Sequence, residues 1–414
     1  MKNIIILGIS AGLNRGALFL ILPILATFLS LSDFGVLSVF LISAQLLIPF
    51  VSLNITSIIA REAYEKPFTT AKFTFFINNV LFALIAISTL SYMLFGSVLI
   101  LVLVYALIES LFLINSTYVR FKGDIMNYLK LTLIKFLSFF LLLFLFRLYD
   151  IKALESLKAI LLSLIIANIV IIPFSYNLSS KLNWKRVKRN VSSVFANKYL
   201  FVFSLGLIPH ILAQWITSGS DRYIVQYQLG NEALGLYSLS YSVASMFMLI
   251  NSALALGLPQ ICVKCYSKFI EYSFFFKIFI SITSLWLLFS LVAFFIFPYI
   301  YPHVVREEVF DVAFWILLSL YNLAYYYYFS SVLFYQRKIR YLSYVTIITA
   351  IINLILVFLL TPIYGITGTA FATYLAYFIY TLLVSLKCDV KLRAYIYLPV
   401  IFNVVVCLFF YFLF

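Results

Sequence analysis

The sequence predicts an all-α polytopic membrane protein, and three observations carry that prediction. Of 414 residues, 65% are hydrophobic and only 10% are charged, where an ordinary soluble domain carries roughly 25% charged residues. Mean hydropathy is +1.10, and a soluble globule of this size still exposes about a quarter of its chain area, so it has nowhere to hide so much apolar surface. The apolar residues also fall into long runs. About 20 are needed for a helix rising ~1.5 Å per residue to cross a ~30 Å hydrocarbon core. A soluble enzyme, a nucleic-acid-binding domain and a disordered chain are excluded.

Thirteen candidate spans follow in order, at roughly 4–29, 35–59, 74–95, 97–118, 130–148, 159–176, 200–218, 235–258, 274–298, 312–334, 341–360, 365–386 and 395–414. The joins carry turn chemistry: Ser32-Asp33-Phe34-Gly35, Phe297-Pro298, and Thr361-Pro362 ahead of Gly365. The N-terminus has one lysine and no small-residue cleavage site, so the first run reads as a retained span rather than a signal peptide.

Basic residues set the orientation. With the N-terminus inside, 22 of the 29 Lys and Arg fall in inner segments and four in outer ones, namely Lys152, Lys158, Arg222 and Arg306. The remaining Arg15, Lys135 and Arg147 lie within spans. Such a bias over short loops places the N-terminus in the cytoplasm and accounts for most of the net charge of +15 without an anionic partner. An odd number of spans puts the C-terminus outside.

The longest inner loop, 177–199, is also the most basic. Two roles fit it: an amphipathic segment on anionic lipid, or a linker between two halves. The expected organisation is an N-terminal six-helix lobe over 1–176, the linker 177–199, a C-terminal six-helix lobe over 200–386, and an additional hydrophobic segment over 387–414.

An internal repeat supports the two lobes. Residues 32–52 align without a gap on 232–252, matching Gly35 with Gly235, Ser38 with Ser238, Ala44 with Ala244 and Ser52 with Ser252. Each stretch follows an outer loop and opens a span. Spans 1–6 and 7–12 are then parallel, pseudo-symmetric halves, and two such bundles facing across a cleft are the plan of an alternating-access transporter.

No catalytic constellation is present. A Walker-type phosphate loop is missing, and the outer loops are too short for a polymerase or ligase domain. Cys262 and Cys265 form one C-x-x-C without a second ligand pair, and His210 and His303 are the only histidines. No metal and no cofactor are expected.

Ionisable groups inside spans are costly, about 2.5–3.5 kcal/mol at mid-helix, and default to functional candidates. Arg15 and Glu109 each lie eleven residues from an inner span end, roughly 16 Å deep. Arg15 meets an anion in a cavity with Glu109 as counter-charge or proton site, or the two form an ion pair that fixes helix register. Gly8, Gly12 and Gly16 form a small-residue packing stripe beside Arg15. His210, following Pro209 about ten residues into span 7, is either part of a broken-helix binding site or a satisfied buried histidine. Lys135, nearer the inner face, and Arg147, nearer the outer face, are expected to snorkel to headgroups. Asp221 and Arg222 close span 7 on the outer side, as a gate or as a helix cap. Of the 31 tyrosines, Tyr325 to Tyr328 stand in a row; consecutive positions point all round a helix, so at most two can face a cavity.

The stretches "NRGALFLILPILATFLSLSDFGVLSVFLISAQLL", "SIIAREA" with Arg61, "SGSDRYIVQYQLGNEALGLYSLSYSVASMF" and "YGITGTAFATYLAYFIY" resemble Wzx-type polysaccharide flippases. The resemblance covers most of spans 1–12. It implies membership of the multidrug, oligosaccharidyl-lipid and polysaccharide exporter superfamily, and a V-shaped, MATE-like pair of six-helix lobes around a cationic cavity. The implied cargo is an undecaprenyl-diphosphate-linked oligosaccharide of O-antigen or capsule type, moved from the inner to the outer leaflet of a bacterial cytoplasmic membrane. Membrane lipids, a polysaccharide polymerase and chain-length machinery are the implied partners, and no nucleic acid. A guanidinium is a suitable donor fork for a diphosphate. The residues carried forward are Arg15, Glu109, His210, Asp221, Arg222 and Arg61. Two alternatives stay open: a drug/cation antiporter of the same superfamily, which favours carboxylates in its cavity, and a membrane-embedded polymerase or ligase. Thirteen spans depart from the family's twelve or fourteen.

Overall fold

A computed structural model describes residues 29–62, 67–121, 124–148, 157–180, 202, 205–296 and 307–413. Its elements are α1 (Leu31–Val51), α2 (Ile55–Glu62), α3 (Pro67–Phe95), α4 (Val98–Phe121), α5 (Ile125–Leu148), α6 (Leu157–Ser180) and α7 (Ile208–Ala244). They continue with α8 (Met248–Lys264), α9 (Tyr266–Phe269), α10 (Tyr272–Leu291), α11 (Glu307–Tyr335), α12 (Ile339–Leu386), α13 (Val390–Ala394) and α14 (Tyr397–Leu413). Each of spans 2 to 13 has a helical counterpart here, and span 1 with Arg15 lies outside the described residues. Nine of the described helical segments are long and apolar enough to cross a membrane. The chain is an all-α, multi-pass membrane protein.

The ends of these helices follow from local chemistry. Ser30 and Asp33 cap α1 reciprocally: Asp33 N–H donates to Ser30 Oγ at 3.1 Å, and the Ser30 hydroxyl donates to Asp33 Oδ2 at 2.8 Å. Span 2 is not one helix. It breaks after Val51, where Leu53 and Asn54 take positive φ, and resumes as α2. Asp124 caps α5 by accepting Asn127 N–H at 3.2 Å, so this helix begins five residues ahead of the expected span at 130. Gly230 (φ 86°) turns α7 between spans 7 and 8, and Gly365 (φ 62°) does the same in α12 between spans 11 and 12. Only glycine takes such backbone angles without strain.

The chain divides into two compact units, Val36–Trp215 and Ile216–Phe414 together with Met1–Gly35. The division falls inside α1 and α7, and residues 181–199 of the expected linker lie outside the described residues.

In the Val36–Trp215 unit, α4 is central: 72% of its apolar window is buried, against 22% for that of α5. Glycine-free packing of Phe112, Val119, Tyr128, Leu131 and Ile171 joins α4, α5 and α6. The Asn78 amide donates to Asn115 Oδ1 at 3.0 Å, tying α3 to α4, and Trp215 Nε1 donates to Ile42 O at 3.0 Å, tying the start of α7 to α1. A polar bond of this kind finds no competing water in hydrocarbon.

In the other unit α11 is central, with 83% of its window buried, against 17% for α10 and for α14. Tyr325, Tyr326 and Tyr328 are buried. The Tyr328 hydroxyl donates to Phe269 O at 2.9 Å, and Tyr326 stacks on Tyr380 at 4.1 Å between centroids. The tyrosine row is therefore packing. The additional C-terminal segment, α14, is docked on α11 by a reciprocal carboxamide pair, Asn322 with Asn403 at 3.0 and 3.1 Å, and by Phe410 stacked on Phe314 at 3.8 Å. Gly35 and Gly235, matched in the sequence repeat, meet each other. A Cβ on Gly35 would press on Asn231 O and Gly235 N, and one on Gly235 on Leu31 O, all backbone atoms.

Candidate functional site

Two buried carboxylates stand among the described residues, Glu109 and Asp221, one in each unit. Each is paired with a cation, and the two settings differ.

Glu109 lies on the buried face of α4. Its carboxylate receives both hydrogen bonds from the Lys135 ammonium of α5, at 2.6 Å to Oε1 and 2.7 Å to Oε2. The Phe112 ring, one turn along α4, lies 4.3 Å from the same nitrogen and adds a cation–π contact. Among the described residues the partner of Glu109 is Lys135, and Arg15, its expected partner, lies outside them. The expected snorkelling of Lys135 fails for a geometric reason. With α5 starting at Ile125, Lys135 lies ten residues into the helix, ~15 Å from its N-terminal end, which matches the ~16 Å between Glu109 and Arg120 at the C-terminal end of α4. At equal depth the two charges meet instead of running to headgroups. The pair is not sealed: the side chains keep 17% and 11% exposure.

Asp221 and Arg222 lie within α7, not at its end, because the helix runs on for two turns to Gly230. They cap nothing. Asp221 Oδ1 accepts the Arg222 backbone N–H at 2.8 Å and its guanidinium at 3.2 Å, and Asp221 Oδ2 accepts the Tyr237 hydroxyl. Arg222 also donates to Ser218 O at 3.1 Å and lies 4.2 Å over the Tyr241 ring. Side-chain exposure is 4% for the arginine and 1% for the aspartate. Both carboxylate oxygens of Asp221 and Nη1 of Arg222 are thus bonded within the unit, as buried charge requires.

His210 lies in the first turn of α7 beside Pro209, half-buried, and its Nδ1 has no hydrogen-bond partner. Arg61 belongs to α2, with its side chain outside the described set. Cys262 is buried, with Sγ 3.6 Å from Ser331 O, and Cys265 is exposed; both are free thiols. Among the described residues no three His, Cys, Asp or Glu side chains gather as a metal site. Sequence reasoning named Glu109 but assigned Lys135 elsewhere. The signal that would have joined them was the Asp124-Ile-Met-Asn127 cap, which sets the depth of α5.

The fold is similar to that of solved transporters. A lipid II flippase, MurJ, in an inward closed conformation superposes with a TM-score of 0.62 at 15% identity, covering 95% of this chain and 92% of that one. A multidrug resistance MATE family transporter of the MOP superfamily, inward-facing, superposes at 0.59 with 12% identity over 95% and 99%. An outward-facing conformation of such a transporter gives 0.55 at 12% identity over 95% and 96%. No protein-family model and no curated protein matches the chain. At these identities the likeness is one of fold.

Proposed function

We propose that the chain is a transporter, not an enzyme, that flips an undecaprenyl-diphosphate-linked oligosaccharide from the inner to the outer leaflet of a bacterial cytoplasmic membrane by alternating access. Its N-terminus is cytoplasmic in this reading. The observation that carries it is the state of the carboxylates. Both buried ones, Glu109 and Asp221, are neutralised by a cation of the protein, which leaves neither available to a cationic drug. The fold shared with a lipid II flippase and the resemblance to Wzx-type flippases support the same cargo class. Its lipid tail stays in the bilayer while the phosphorylated head crosses, and fixed cations at mid-depth offset the head's charge there.

The MATE neighbours support a second reading, drug/cation antiport, at equal fold similarity. Proteoliposomes separate the two: the flippase moves a fluorescent undecaprenyl-diphosphate glycan between leaflets and leaves an ethidium gradient untouched, and the antiporter does the reverse. In cells that depend on the gene, Arg15→Ala is expected to lower surface glycan and build up inner-leaflet lipid-linked units. Normal export with no build-up would remove Arg15 from the mechanism.

A further inference from the structure

The Lys135–Glu109 pair has the chemistry of an exchangeable anion site. Building on the flippase reading, we propose that Lys135 is the contact in the Val36–Trp215 unit for a phosphate oxygen of the cargo, and that Glu109 is the resting counter-ion from which it is transferred.

Four features converge on this. The ammonium sits near mid-depth, where an unpaired charge is costly, so it needs a partner at rest. Glu109 is that partner and, among the described residues, its only acceptor, taking two of the three N–H donors at 2.6 and 2.7 Å. A phosphate oxygen is an equivalent acceptor, so the exchange replaces one charge-assisted bond on the ammonium with another, and the cation that accompanies the phosphate head passes to the released Glu109 carboxylate, leaving neither buried charge bare. The Phe112 ring lies 4.3 Å from the cation and favours a charge there whichever anion is bound. Finally, the pair is partly open, at 17% and 11% exposure, whereas Arg222 and Asp221 are closed off at 4% and 1%.

The test uses the full chain in lipid nanodiscs with inorganic pyrophosphate as the probe, read by calorimetric titration. The wild type binds it. Lys135→Ala weakens binding by at least about tenfold, and Lys135→Arg keeps it within a few-fold, since a guanidinium serves the same acceptor. Glu109→Gln tightens binding, because the competing anion is gone. A structural pair predicts instead that Glu109→Gln and Lys135→Ala lower thermal stability together with no opposite change in affinity; that outcome overturns the proposal. If Lys135→Ala does not fold, Glu109→Gln and Lys135→Arg still decide it, and unchanged or weaker binding by Glu109→Gln is fatal. Glycan flipping in proteoliposomes separates the two levels. Lys135-dependent pyrophosphate binding without flipping upholds the site and sinks the flippase reading. Normal flipping by Lys135→Ala upholds the reading and sinks the site.

Discussion

Two ion pairs, each with an aromatic ring against its cation, occupy the two units, and they differ in origin, bonding and exposure. Asp221 and Arg222 are sequence neighbours, flanked by Tyr237 and Tyr241 and bonded internally through both carboxylate oxygens and Nη1. Glu109 and Lys135 come from different helices, hydrogen-bond to each other beside the Phe112 ring, and remain partly open. The contrast teaches that a buried charge must be judged by how many of its bonds an outside molecule could replace. The first pair offers none. The second offers two, both on one carboxylate.

The contrast can be broken most forcefully at the closed pair. Asp221→Asn leaves Arg222 buried without its counter-charge, a loss of about 3–5 kcal/mol, and should show as a large fall in the melting temperature of the purified protein. Glu109→Gln should cost less, since Lys135 keeps some exposure and its ring contact. Equal losses would erase the distinction. Tyr237→Phe removes one bond to a charged acceptor, about 1.5–3 kcal/mol, and the same melting series should rank it below Asp221→Asn.

The smallest effect concerns thiols and leaves the fold untouched. Burial pushes the Cys388 thiol up to about 12, so at pH 8 almost none of it is thiolate. Cys265 is exposed at the α8–α9 turn, beside Lys264 and Lys268. A membrane-impermeant maleimide should label Cys265 from the cytoplasmic side only and leave Cys388 unmodified. Labelling from outside would invert the proposed orientation.

Much of the fold was legible in the sequence because hydropathy reports directly on lipid exposure. The counterparts of spans 2 to 13 appear where apolar runs predict them, and the two most buried, α4 and α11, are spans 4 and 10, six apart as the repeat requires. Helix ends were less legible. Polar Asn127 and Lys130 dilute the hydropathy of span 5, which hid a start at Ile125 and misplaced Lys135 by about 7 Å. The Asp221–Arg222 dipeptide looked like the end of span 7 for the same reason, although the tyrosines that pack on it come from beyond the next turn. The break at Leu53 and Asn54 carries no glycine to announce it.

The meeting of Gly35 with Gly235 has a further consequence. The atoms that a methyl group would strike are main-chain oxygen and nitrogen, which no substitution can trim. Drift at either codon therefore has no second-site remedy among side chains, and each position is held to glycine by a main-chain neighbour of its own, Asn231 for Gly35 and Leu31 for Gly235.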